Sequence, residues 1–82
     1  QAKSLAARVV KQARPGDAAR VQWLYAQLYA RPATDREAKI GLAVLSRARE
    51  AGNEAGARPS AEQLWEPYCQ ILLCSNEFMY VD

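Results

Sequence analysis

The chain has 82 residues, 50% hydrophobic and 24% charged, which fits one small globular domain and excludes a disordered or low-complexity chain. No apolar run approaches the roughly 18 to 20 residues that span a bilayer, and the start QAKSLAARVV lacks the apolar core of a signal peptide. Histidine is absent, which removes the commonest general base, the commonest zinc ligand and the Ser-His and Cys-His nucleophile pairs.

The formal charge of +2 hides a gradient. Residues 1–31 hold six cations against Asp17 alone, a net +5, whereas residues 59–82 hold four acids and no base, a net −4. Basic surface can meet phosphate or anionic lipid, but a nearly balanced total favours a basic helix lying beside an acidic one in the same fold. The chain begins on Gln, so it reads as a piece of a longer polypeptide whose compartment is set elsewhere.

Four helices are predicted in chain order. Ala2, Leu5, Ala6, Val9 and Ala13 recur at helical spacing until Arg14-Pro15-Gly16 stops them. Asp17 is the expected N-cap of the second helix, whose buried face is Val21, Leu24, Tyr25 and Leu28. Trp23 falls nearly opposite that face, with Tyr29 on its flank, so it either covers a neighbouring helix or is exposed for a partner. Together with Arg20 these form the candidate interaction surface, because aromatic and Arg side chains dominate binding hot spots. Pro32 ends this helix near Arg31.

Thr34 and Glu37 then form a capping box, the clearest start signal in the chain. The third helix has an inward stripe of Ala38, Gly41, Leu42 and Leu45, a second stripe of Ile40 and Val44, and a left-handed stop at Gly52-Asn53. After a flexible connection, Ser60 and Gln63 repeat the capping pattern. Leu64, Trp65, Tyr68, Ile71, Leu72 and Ser75 share a broad face, the spacing of a helix inserted between others. Pro67 leaves two outcomes open: a kinked helix, or a separate first turn with the main helix starting at Pro67.

The last eighteen residues, WEPYCQILLCSNEFMYVD, concentrate the unusual chemistry. Cys69 and Cys74 are five apart, about 140° around a helix, too far to bridge each other, and two sulfurs alone make no metal site. Both are expected to be small buried hydrophobes. Ser75 beside Glu77 lacks an orienting base, so Ser75 and Asn76 are read as closing the helix, with Phe78 and Tyr80 in an extended tail packed back on the bundle. No catalytic residue, metal site or cofactor follows from these residues. A basic helix, a turn and a second helix suggest a DNA reader, but the second helix offers only Arg20, Gln22, Ala26 and Gln27, so nucleic acid is not a favoured partner.

The series Trp65, Cys69, Leu72, Ser75-Asn76-Glu77-Phe78, Tyr80 and Asp82 resembles the end of a planctomycete-specific domain family of unknown function, W-x-x-x-C-x-x-L-x-x-SNEF-x-Y-x-D. Leu24-Tyr25, then Arg31, Thr34 and Glu37, are similar to its upstream LY and R-x-P-T-x-x-E, although Pro32 stands one place early, Ala33 takes the proline position and Cys74 replaces a frequent Asn. The resemblance covers about residues 20–82. It implies a large exported bacterial protein, periplasmic or at the cell surface, often with a cytochrome c-like domain upstream. The associated processes would be polysaccharide use or electron transfer, with no established reaction.

The expected fold is all-α: a single domain over 1–82, a bundle of about four short helices with the C-terminal helix central and a short tail. The expected function is a non-catalytic structural and interaction module at the C-terminus of such a protein, with upstream domains of the same polypeptide or another protein as partners. The alternative is a helical part completing an enzyme or redox domain whose active residues lie upstream. Nucleic-acid binding through the first helix ranks last.

Overall fold

A computed structural model describes residues 1–56 and 58–79, the last four as backbone only. Four helices follow in order: α1 (Ala2–Gln12), α2 (Asp17–Tyr29), α3 (Asp35–Glu54) and α4 (Ala61–Met79), with no strand among the described residues. α4 touches each of the other three, and α1 lies chiefly along α4 without reaching α3. The protein is thus an all-α bundle with its C-terminal helix central, and the basic α1 rests on the acidic C-terminal element.

On α1 and α2 the expected core residues Ala2, Leu5, Ala6, Val9, Ala13, Val21, Leu24 and Tyr25 are buried, whereas Leu28 is only partly buried. Leu45 from α3 joins Leu64, Trp65, Tyr68, Cys69 and Leu72 from α4. Trp65 is fully enclosed and meets the Tyr68 ring edge-on, with centroids 5.9 Å apart. Burying an aromatic of that size is worth about 1.5–3 kcal/mol from its area alone.

Three apolar residues leave the stripes assigned to them. Ile40 is 57% exposed, Leu42 lies at the boundary of the solvent face, and Ile71 is 49% exposed. The cause is the narrowness of each contact. α3 meets its neighbours through Gly41 and Leu45, and a residue 100° further round that helix, such as Ile40, clears the contact. Gly41 leaves room for the Tyr68 ring of α4 and for Val21 of α2: a Cβ there would stand 2.6 Å from the Tyr68 hydroxyl oxygen and 3.2 Å from Val21 Cγ2.

Helix ends follow local chemistry where a side chain can reach the backbone. In the Thr34 box the Glu37 N–H donates to Thr34 Oγ1 (3.2 Å) and the Thr34 N–H to Glu37 Oε1 (2.9 Å). In the Ser60 box the Gln63 N–H donates to Ser60 Oγ (3.1 Å) and the Ser60 N–H to Gln63 Oε1 (2.9 Å).

Four other ends differ from expectation. Gly16, at φ 113°, is the N-cap of α2, so Asp17 is its first helical residue and caps nothing with its side chain. A positive φ there costs glycine nothing and moves the cap one residue upstream. α2 stops at Tyr29, two residues before Arg31, on Ala30 in the left-handed region (φ 55°), whose N–H returns to the Ala26 carbonyl at 3.2 Å. α3 continues through Gly52 and Asn53 to Glu54. The left-handed residue is Gly56 (φ 73°), which bonds back to the Asn53 carbonyl. α4 runs unbroken through both Pro67 and Asn76, so Pro67 does not open a helix and Asn76 does not cap one. Pro67 is exposed, it leaves the Gln63 carbonyl without its N–H donor, and both residues line an open groove. Phe78 and Met79 continue the helix rather than begin a tail. Tyr80, Val81 and Asp82, and the side chains from Asn76 onward, lie outside the described residues.

Candidate interaction surface

The three residues proposed for partner contact sit on two different sides of α2. Arg20 and Trp23 are about 60° apart around the helix, whereas Tyr29 is about 180° from Arg20.

The Tyr29 side is closed by internal contacts. The Tyr29 hydroxyl donates to the Leu72 carbonyl at 3.0 Å, fastening α2 to α4. Its ring lies 5.1 Å from that of Tyr25, and the Arg31 guanidinium covers both, at 5.7 and 5.5 Å from the centroids. Burial pushes both phenols above their ordinary pKa. Arg31 also grips Glu37 with two nearly parallel bonds of 2.8 and 2.9 Å. That grip, with the Thr34 amide, holds the Glu37 carboxylate at about 2. One carboxylate therefore caps α3 and anchors the cation that lids the tyrosine pair. Gln22 completes this joint: its Oε1 accepts from the Ala33 N–H at 2.8 Å and its Nε2 donates to the Ala33 carbonyl at 3.4 Å.

The Arg20 side is open. Trp23 is half-buried against the core, with the Arg8 guanidinium of α1 5.6 Å above its ring. Arg20 is half-buried and its Nε is enclosed without a hydrogen-bond partner among the described residues. Asp17, one turn before it, is committed elsewhere. Both of its oxygens accept from Arg49 on α3, at 2.7 and 2.8 Å, and this pair holds the carboxyl below its ordinary pKa.

Sequence reasoning missed Arg8, Gln22, Arg31, Arg49 and Gly41 as positioning residues. Arg31 and Glu37, six apart, were visible only as a helix end and a cap. Asp17 and Arg49 are 32 positions apart, which no local pattern joins.

On α4 the two free thiols part company: Cys69 is buried and Cys74 is exposed, so Cys74 is not the buried hydrophobe expected. Burial, with Glu66 nearby, pushes the Cys69 thiol up to about 11, so it stays protonated and unreactive at neutral pH. Cys74 accepts from Gln70 Nε2 at 3.3 Å. The Tyr68 hydroxyl, raised in pKa by burial, has no hydrogen-bond partner among the described residues. Tyr25 influences its ionisation without reaching bonding geometry. The groove beside Pro67, about 520 Å³ and open to solvent, is lined by Pro59, Gln63, Glu66 and Gln70, and Gln63 is already spent on the Ser60 cap. Among the described residues no three metal-capable side chains cluster, and no helix is long and apolar enough to cross a membrane.

Comparison of the chain with protein-family models, curated proteins and solved structures found no match.

Proposed function

We propose that this chain is a structural and interaction module without a reaction of its own. It packs on, or orients, upstream domains of an exported planctomycete-type polypeptide, periplasmic or at the cell surface. The observation that carries the proposal is how the polar side chains are spent. Asp17–Arg49, Arg31–Glu37, Gln22–Ala33 and Tyr29–Leu72 each fasten one helix or loop to another, while Ile40, Ile71 and the cations of α1 face outward. Such a distribution builds a rigid body with surface left for neighbours.

Deletion of this segment from the parent polypeptide tests the proposal. The expected result is a lower melting temperature of the remainder and altered association, with turnover and redox spectra per folded molecule unchanged. Loss of turnover or altered spectra in a remainder that stays folded would overturn it in favour of a segment completing an upstream active or redox site.

A further inference from the structure

The seam between α1 and α2 carries an asymmetry that the fold does not use. α1 buries one face on its neighbours, and its solvent side presents Lys3, Arg8 and Lys11, followed by Arg14, with no acid anywhere in the helix. Among the described residues none of these cations, nor Arg20, takes part in an ion pair. By contrast Arg31 and Arg49 each hold an acid with two bonds, Glu37 and Asp17 respectively.

Two of the five cations are held in place. The Arg8 guanidinium is stacked on Trp23, and Arg20 stands on α2 one turn before that same Trp, its Nε enclosed and unpartnered. A planar fork whose rotamer is already fixed loses less entropy on meeting a carboxylate, and bidentate charge-assisted pairing is the strongest contact it makes. Asp17 is near enough to Arg20 for their charges to interact, but both of its oxygens bond Arg49, so among the described residues no carboxylate bonds Arg20.

We propose that this seam docks a short acidic segment of a partner protein, with Arg8 and Arg20 receiving its carboxylates on either side of Trp23, and Lys3, Lys11 and Arg14 supplying the surrounding field. The inference rests on the reading of the chain as an interaction module and gives that module's partner a chemistry. Size and charge select an acidic peptide over a nucleic acid. α1 is about 16 Å long, the span of about five extended residues. The neighbouring α4 carries Glu62 and Glu66 and no base, so a longer polyanion running from α1 onto α4 would meet acid.

The test titrates hexaglutamate into the 82-residue chain at low salt, following backbone amide shifts and the indole N–H signal of Trp23. Shifts confined to α1 and the first half of α2 are expected, with affinity falling about tenfold between 20 and 200 mM salt. Arg8→Gln with Arg20→Gln should weaken binding at least about tenfold, the loss of two charge-assisted pairs. Lys39→Gln with Arg47→Gln, the same charge change on α3, should leave it within about twofold. Circular dichroism confirms that each variant is folded. Equal losses in both double variants, shifts spread over the whole surface, or no binding at low salt would each overturn the proposal. So would an oligothymidylate of equal charge binding more tightly than the peptide. If the parent's upstream part binds this chain while hexaglutamate does not, the module reading stands and the acidic-partner inference falls.

Discussion

The hydroxyls of Tyr29 and Tyr68 have opposite fates, although both residues pack α4 against a neighbour. That of Tyr29 donates to the Leu72 carbonyl, and that of Tyr68 is pressed unpaired against the backbone at Gly41. A net hydrogen bond contributes about 1 kcal/mol, and a buried unpaired hydroxyl costs about 1–3 kcal/mol. Tyr29→Phe should therefore destabilise by about 1 kcal/mol while Tyr68→Phe should be neutral or stabilise by up to about 1 kcal/mol, read from urea midpoints. Equal losses in the two variants would show that Tyr68 has a partner after all. The helical period of residues 64–72 makes Tyr68 legible as a core residue. Its contact with Gly41 depends on where α3 crosses α4, which no local pattern encodes.

Helix termini show where local sequence suffices. Both capping boxes form because their side-chain and backbone groups lie within three residues, so the signal and the structure occupy the same stretch. Ends set by backbone conformation are less legible, since several residues compete for the role. Gly56 takes the left-handed position instead of Gly52, and Ala30 takes it although Ala has no intrinsic preference for it. Ala30 is held there by its N–H bond to Ala26 and by the Arg31–Glu37 and Gln22–Ala33 joints just beyond. A left-handed L-residue costs about 1–2 kcal/mol, partly offset in glycine by chain entropy. Ala30→Gly is thus expected to stabilise by about 0.5–1 kcal/mol, raising the melting temperature by a few degrees.

The joint at Glu37 also fixes a direction for acid sensitivity. Its folded pKa of about 2 lies below the ordinary 4.5, so its contribution is complete above about pH 4.5 and is lost as pH falls toward about 2. Asp17, held down by Arg49, acts with the same sign. The urea midpoint should drop between about pH 6 and about pH 3, and Glu37→Gln should flatten that drop while leaving an oxygen to accept from the Thr34 amide. An unchanged slope in the variant would contradict the Arg31–Glu37 grip.

On the scale of the whole molecule, one helix organises the rest. α1, α2 and α3 each rest on α4, and the buried Leu64, Trp65, Tyr68, Cys69 and Leu72 supply the surface they share. That centrality is legible because four of these positions, Leu64, Trp65, Tyr68 and Leu72, repeat on one face within nine residues. The exposure of Ile71 and Cys74 is not, because the width of a buried face depends on how many neighbours close around it. Native-state hydrogen exchange tests the centrality of α4 most directly. The account predicts that the amides of Leu64 to Leu72, apart from Pro67, which has none, and from its solvent-facing turn, exchange only through global unfolding, together with Ala6–Val9 of α1 and Leu24–Tyr25 of α2. Faster exchange in α4 than in α3, with α1 to α3 still protected, would contradict it.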